Sequence, residues 1–437
     1  MSVNSFSRLG TANAYDNTLV NLQNRQATLA NLQESLSSGK KITSPSDDPT
    51  GAAQAERALN RIARIASDQR ALEAQRSAIT QAEGTLGDIT DALQSIRELV
   101  VSAGNGAYSA AERTTIAGQI SGLRDRVLSL ANTRDGNGMP LFAALGSALT
   151  PFAGPQSAAP DYRFDGLPGQ TATHVYAIPA TLDGESAFMA QPARDGVFNI
   201  KVGNSGGGIP AGRTLTTDTI AVTDKTILGT TANLAAATAG APVYPAYTLT
   251  VNGVDTTTTP GTTTLTYAIT ETPAVSTPAL TTGTTSFPTG TKADIPVTVI
   301  PGLSFNFHGT PALNDTVTIA PKGSVFSVLD SAVTDIGSAA NANAATQAVA
   351  QTLTNLDTCM ARISAVRGQA GDLMNRAESI TNINSKRNIE QESNRSRAED
   401  IDMVKGISDF NNQQTGYQAA LQTYAQIKKL SLFNFIS

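Results

Sequence analysis

The residues most capable of chemistry in this 437-residue chain are few and stand apart in the sequence. There is one cysteine, Cys359, and there are two histidines, His174 and His308, neither of them in an HExxH motif. Asp47 and Asp48 are adjacent, but a proline and a helix-like segment follow them, so we predict that they cap a helix rather than bind a cation or transfer protons. We therefore predict no enzyme activity, no cofactor and no metal site.

Three further signals also favour structural interpretations. Cys359 lies among aliphatic residues with no histidine or base beside it in the sequence, so we predict a buried, unreactive thiol. The glycine-rich run 203–208 lacks the Lys-Ser/Thr pair and the following helix of a phosphate-binding loop, which favours a turn. Arg57, Arg61 and Arg64 form a short basic edge that we expect to be solvated or to form ion pairs between subunits.

Composition narrows the function classes. The chain has 31 Lys and Arg against 36 Asp and Glu, for a net charge of −5, so the basic surface needed for nucleic acid or an anionic membrane is not expected. Two uncharged stretches, 136–160 and 226–254, are interrupted by Pro, Gly or Thr and do not read as membrane spans. With no Trp and 5% aromatic residues, the composition favours a structural or binding protein.

The composition changes twice along the chain. We predict an α+β protein with an N-terminal helical region over 1–145, an inserted antiparallel β-rich domain over 146–323, and a C-terminal helical region over 324–437. The two terminal regions are expected to form a long, coiled-coil-like helical rod. The Thr-, Gly- and Pro-rich middle contains alternating runs at 196–202, 247–251, 264–269, 296–300 and 315–319, which predict strands. The Thr tract 256–259 is predicted to be an exposed loop.

The N-terminal helical region carries heptad spacing and clear helix boundaries. One row of apolar residues repeats every seven positions from Ile65 to Val100, although Gln69 and Gln75 interrupt the second row. An earlier helix is predicted over about 12–38, ended by Gly39. Ser109 and Glu112 have capping-box spacing and predict the start of another helix.

Apolar residues at helical spacing also follow the C-terminal region almost to its end. Such stripes must bury against each other or against another molecule, and an intramolecular bundle is the simpler alternative. We expect packing or assembly contacts at Leu19, Leu22, Leu29, Ile65, Leu72, Ile79, Leu86, Leu93, Val100, Leu353, Ile363, Leu373, Tyr417, Leu421, Tyr424, Ile427, Leu430 and Phe433.

Several motifs resemble those of one protein family. Residues 37–49 (SSGKKITSPSDDP), followed by AAQAE at 52–56, are similar to the N-terminal signature of flagellins and their relatives, and the PSDDP form resembles the hook–filament junction branch. The turn ANTRDGNG at 131–138, the re-entry at 314–329, and the ending at 417–424 and 430–435 resemble the same branch. The resemblance covers about 1–145 and 314–437.

The resemblance implies a structural protein of the bacterial flagellum. Members of this branch assemble as a ring, with self-contacts, between the hook-side junction protein (hook-associated protein 1) and flagellin. They leave the cell through the flagellar type III export apparatus with the help of a chaperone, so an extracellular location is implied. The family therefore implies protein partners, with neither nucleic acid nor membrane among them.

Three alternatives stay open from the sequence. The first is a flagellin-type filament subunit, which would be the dominant protein of sheared filaments rather than a trace component. The second is an outer-domain metallopeptidase, which would need the HExxH motif that neither histidine provides. The third is a secreted adhesin that uses the Thr-rich domain.

Overall fold

A computed structural model describes the backbone of residues 4–156, 162–169, 177–190, 195–205, 209, 213–231, 245–272 and 282–436. Within these ranges, the side chains of 4–15 and 427–436 are not described. His174 and most of the glycine-rich run 203–208 lie outside the described residues. The chain divides into two compact units, which we call the terminal unit (Met1–Ala71 with Ser379–Ser437) and the central unit (Leu72–Glu378).

The described part of the chain contains these helices: α1 (Asn4–Ser38), α2 (Pro49–Ala103), α3 (Ala110–Ala131), α4 (Gly184–Phe188), α5 (Val325–Gly337), α6 (Ala342–Glu399) and α7 (Met403–Ile436). The predicted α+β class, with helical terminal regions and an inserted antiparallel β domain, is confirmed. Helix α1 begins at Asn4, earlier than the predicted 12, and continues through Gly10.

The predicted helix boundaries are confirmed where a cap was identified. Gly39 follows α1 with a φ of +74°, which is the left-handed conformation that a glycine adopts without strain. The Asp48 carboxylate accepts hydrogen bonds from the amides of Thr50 and Gly51 at the start of α2. Ser109 and Glu112 form the reciprocal capping box that opens α3. Local spacing was therefore sufficient to place these helix ends.

The β domain lies in the central unit. Its strands are β1 (Phe152–Ala153), β2 (Arg163–Phe164), β3 (Phe198–Asn204), β4 (Leu215–Thr217), β5 (Ala221–Val222), β6 (Ala246–Asp255), β7 (Thr262–Thr272), β8 (Thr282–Pro288), β9 (Ala293–Val297), β10 (Leu303–Gly309) and β11 (Asp315–Pro321). One antiparallel sheet has the order β3-β11-β6-β7-β8. In the second sheet β10 pairs with β4, β5 and β9, and β1 pairs with β2.

The core of the β domain follows the period of two in its strands. Alternate residues such as Leu249, Leu265 and Val317 are buried, together with Phe305 and Phe307 of the second sheet. The predicted strand at 296–300 is wrong at its end, because β9 stops at Val297. The Thr tract 256–259 is an exposed loop, as predicted. Strand β8 was missed because its TGTTSFP sequence has only one large apolar residue.

An aromatic cluster marks where the chain enters and leaves the β domain. Phe142, which follows the turn after α3, lies 5.4 Å from Phe188, and Phe188 lies 6.0 Å from Phe326 at the start of α5 (ring centroids). Phe152 contacts both Phe188 and Phe326. The exit and re-entry expected near Phe142 and Val325 are therefore neighbours in space.

Candidate assembly surface

The residues that could have carried chemistry have structural roles. Cys359 is fully buried, burial raises the pKa of its thiol, and its sulfur accepts a hydrogen bond from Arg362 Nη2 at 3.3 Å. His308 lies between two carboxylates, with Nε2 3.0 Å from Asp218 and Nδ1 3.2 Å from Asp294. Among the described residues, no group of three or more His, Cys, Asp or Glu side chains could hold a metal ion.

Asp47 and Asp48, which precede α2, accept hydrogen bonds from nearby backbone amides. Asp47 accepts hydrogen bonds from the amides of Thr43 and Ser44, and the Ser44 bond is the main reason that its pKa is lowered. The pKa of Asp48 is lowered chiefly by the Gly51 amide, as expected for a carboxylate at a helix N-terminus. The capping prediction is therefore confirmed for Asp48, and Asp47 stabilises the preceding turn.

The heptad row of α2 is closed within the single chain along its whole length. Its first member, Ile65, is buried in the terminal unit, and Leu72, Ile79, Leu86, Leu93 and Val100 are buried in the central unit. Residues of α6, including Ile363 and Leu373, are also buried, whereas Leu353 is only half-buried and its neighbour Leu356 is fully buried. These positions of the row are therefore already covered in one copy of the chain.

Polar contacts between α2 and α6 show that these two helices run antiparallel in the central unit. Arg367 of α6 bonds Glu83 of α2 at 2.7 Å, and Asp357 bonds Arg97 at 3.1 Å. Gln75, which interrupts the apolar row, accepts a hydrogen bond from the Ile178 amide at 3.3 Å. The polar interruption therefore binds another segment of the same chain.

The terminal unit is built differently. Helix α1 packs against α7, yet none of residues 16–38 is fully buried. Leu19, Leu22 and Leu29 on α1 and Tyr417 and Tyr424 on α7 are half-buried. Leu421 is 42% exposed. The positions Ile427, Leu430 and Phe433 belong to α7, but their side chains lie outside the described residues.

A second group of exposed aliphatic side chains lies near the connection between α6 and α7, all of it in the terminal unit. Val404 is 82% exposed and Ile389 is 67% exposed, and Ile383, Met403 and Ile407 are also exposed. None of these five positions is among the contact residues expected from the sequence. Exposed aliphatic clusters of this kind mark protein contacts.

We call the apolar residues of α1, the end of α6, and α7 that are half-buried or exposed in the single chain the assembly surface. It has no cofactor or metal-like chemistry among its described residues. Within the described residues, none of the helices combines the length and apolar character that crossing a membrane requires. What this surface can do is bury apolar area against another protein, at roughly 25 cal/mol per Å².

Comparisons with known proteins match the helical regions towards both ends of the chain. Residues 10–146 match the bacterial flagellin N-terminal helical region, and 353–436 match the bacterial flagellin C-terminal helical region, together about half of the chain. The chain is 34% identical over 153 residues to flagellar hook-associated protein 3 of Salmonella typhimurium. That alignment covers 33% of this chain and 46% of the relative, so the chain spans less than half the length of this curated relative.

Solved structures share the fold over a larger part of the chain. Flagellar hook-associated protein 3 of Legionella pneumophila has a TM-score of 0.57 at 22% identity, covering 77% of this chain and 97% of that one. A second crystal structure, of the flagellar junction protein FlgL from the same organism, has a TM-score of 0.53 at 23% identity, covering 74% and 99%. At these identities the likeness is one of fold.

Proposed function

The chain belongs to the flagellin family of bacterial flagellar proteins, and from this premise we propose that it is a structural junction protein of the flagellum. It assembles as a ring between the hook-side junction protein and the flagellin filament. The observation that carries the proposal is the contrast between a central unit with a closed apolar core and the terminal helices α1 and α7, whose described apolar side chains are only half-buried or exposed in one copy. The relatives named hook-associated protein 3 favour the junction over the filament.

The same proposal assigns its partners and location. The assembly surface contacts further copies of this chain, hook-associated protein 1 and flagellin, and the export apparatus and its chaperone handle the chain before assembly. The protein acts outside the cell, as part of the flagellum, in a structural and non-enzymatic role. A net charge of −5 without a basic stripe supports protein partners rather than nucleic acid or membrane.

The proposal gives a separate role to each of three regions of the chain. Residues 1–145 and 324–437 supply the helices that join neighbours, and 146–323 form the outer domain. Within that outer part, residues 162–190 include Tyr162 and Phe188, which are buried against Phe326 of α5. This segment supports the helical core, so only the strands from β3 onward are dispensable for joining.

The decisive experiment compares two deletions in a strain that lacks the chromosomal gene. Ending the chain after Gln413 removes the α7 residues Tyr417 to Phe433 and is expected to abolish filament attachment while the β domain stays folded. The matched deletion replaces Phe198–Pro321 with a two-residue Asn-Gly turn. It is feasible because Phe198 pairs with Pro321 in the sheet and the Lys322 amide donates to the Val197 carbonyl at 3.3 Å.

The outcomes separate the proposal from its rivals. Filaments that remain attached with the α7 truncation would contradict the assembly role of the terminal helices. Loss of every filament with the normally exported β deletion would make the β domain an obligatory contact. The flagellin alternative is tested by the composition of sheared filaments, in which a filament subunit dominates and a junction protein is a trace component.

A further inference from the structure

The regular spacing of the apolar row of α2 allows more than one pairing register with α6. Ile65, Leu72, Ile79, Leu86 and Leu93 repeat every seven residues, so sliding the row by one heptad places each aliphatic side chain where another had been. A pattern of this kind specifies that α2 pairs with α6 but discriminates poorly between registers that differ by seven residues. A slip of one heptad displaces one helix by about 10 Å at 1.5 Å per residue.

A partly buried polar layer in the terminal unit breaks this repetition, with one buried member, Asn384, and two half-buried members. Gln69 of α2 donates from Nε2 to the Thr381 hydroxyl of α6 at 3.1 Å. Asn384, which is 2% exposed, donates from Nδ2 to Gln69 Oε1 at 3.3 Å. We call Gln69, Thr381 and Asn384 the amide layer.

The amide layer contributes less to stability than the apolar contacts between α2 and α6. The Asn384 Oδ1 atom is buried without a hydrogen-bond partner, a feature that costs stability relative to an apolar residue. In a register shifted by seven residues, Gln69 and Asn384 would no longer meet. One direction of slip would place Gln69 opposite Met374 and Ala377, and Asn384 opposite Ile62, so that the buried Asn384 amide would have no polar partner. The other direction would place Gln69 opposite Asn388 and Gln391, so the layer opposes the first slip and discriminates less against the second. For the first slip, the penalty is larger than the cost of the layer in the observed register.

The other polar contacts along the two helices are of two kinds. The half-buried Arg367–Glu83 ion pair of the central unit, at 2.7 Å, also opposes a slip, whereas the exposed contacts discriminate less. Arg61 bonds Gln391 at 3.4 Å in the terminal unit, and both residues are largely solvated. The Arg97–Asp357 ion pair of the central unit is also exposed, and exposed pairs contribute little. Backbone hydrogen bonds from Lys41 to Glu399 and from Ile401 to Gly39 hold the ends of the connecting segments rather than the seam between the helices.

We propose that the amide layer sets the register in which α2 and α6 pair. Single buried amides at core positions fix the register of coiled coils at a cost in stability, and here two amides and a hydroxyl do so between helices that are remote in sequence. Register matters for any contact with a neighbouring copy, because a slip would displace the end of α6, which carries part of the assembly surface, along α2. The inference concerns folding of the single chain and stands independently of the proposed function.

The test measures register directly in the full chain with pairs of introduced cysteines and a short bifunctional maleimide. Arg61→Cys with Gln391→Cys reports the observed register. Gln54→Cys with Gln391→Cys reports the slip of seven residues that the amide layer opposes, because the exposed Gln54 lies one heptad before Arg61. The native Cys359 is fully buried and stays in place.

The test variant is Gln69→Leu with Asn384→Leu, compared with Asn60→Leu and Asn388→Leu on exposed positions of the same helices. We expect the slipped products to rise about tenfold in the test variant, which corresponds to about 1.4 kcal/mol of lost register preference, and to stay at background in the control. The melting temperature should not fall, since apolar residues replace polar ones that are buried or half-buried. The exchange Gln69→Asn with Asn384→Gln keeps the layer polar and should keep the observed register.

Slipped products that stay at background in a folded test variant would overturn the proposal. A lower melting temperature without slipped products would also overturn it, because it would show that the layer only contributes to stability. If the double variant loses helix by circular dichroism, Asn384→Leu alone is read with the same cysteine pairs. An unchanged register in that single variant would likewise overturn the proposal.

Discussion

The central and terminal units contain helices with similar apolar patterns, but they bury these patterns to different extents. In the central unit, Leu86 and Leu93 of α2 are fully buried against the rest of one chain. In the terminal unit, Leu22 of α1 is only half-buried and Leu421 of α7 is exposed. The difference teaches that apolar periodicity identifies a face that must be covered, while the supply of neighbouring elements decides whether the same chain covers it.

Neighbouring elements explain the contrast. In the central unit α3 packs against α5, and both contribute buried side chains such as Ile120 and Leu329 to a core that also contains α2 and α6. In the terminal unit each of α1 and α7 is paired with the other. Two helices alone bury only part of their apolar stripes, so the remainder is left for another molecule.

The largest expected effect is on Leu86. Leu86→Ala should lower the free energy of unfolding of the central unit by about 2–5 kcal/mol, because a fully buried leucine leaves a cavity when it is truncated. Thermal and denaturant unfolding of the purified monomer measures the loss. A cost below about 1 kcal/mol would mean that the central seam is not closed in the monomer, and the comparison between the units would fail.

A smaller effect is expected at the start of α3. Ser109→Ala removes the hydroxyl that accepts a hydrogen bond from the Glu112 amide, at a cost of about 1 kcal/mol. Ser109→Asp keeps an acceptor at the cap and should restore stability. Because α3 is anchored by buried residues such as Val127, hydrogen exchange should increase only in its first turn. Increased exchange along all of α3 would indicate that the cap, not the packing, holds the helix.

The smallest effect on the monomer is expected at Leu421. Leu421→Ala should change the free energy of unfolding by no more than about 0.5 kcal/mol, since the side chain is largely exposed in one copy. The same substitution should weaken filament attachment in swimming and shear assays, whereas Gln422→Ala at an exposed position of α7 should not. A large loss of monomer stability with Leu421→Ala would show that the terminal unit is closed by itself.

The reach of sequence reasoning differs between elements. The α3 start was predictable because the capping box is a local contact, complete within four residues. The strands β6, β7 and β11 were predictable because alternation of apolar and polar residues is a property of each strand alone. Strand β10 was missed even though Leu303, Phe305 and Phe307 alternate, because Pro301 and Gly302 directly before it indicate a turn.

The residues of the assembly surface could be predicted from the sequence only in part. The apolar positions on α1 and α7 were named in advance, and their role in assembly stays a prediction. The exposed Ile389 and Val404 were not named, because their significance depends on exposure rather than on spacing. Leu353 was chosen on the same helical stripe as Leu356, yet the structure buries Leu356 more deeply, since a helical stripe is wider than the contact that covers it.

The sequence by itself determined the features that short stretches of chain can encode: the helical ends, the caps at Asp48 and Ser109, the alternating strands and the absence of a recognisable catalytic motif. The tertiary structure alone decided which apolar rows are closed, the order β3-β11-β6-β7-β8, and the meeting of Gln69 with Asn384. The reason is physical. Periodicity and caps act within one or two turns, whereas burial, sheet order and register depend on partners hundreds of residues away, whose identity no local pattern contains.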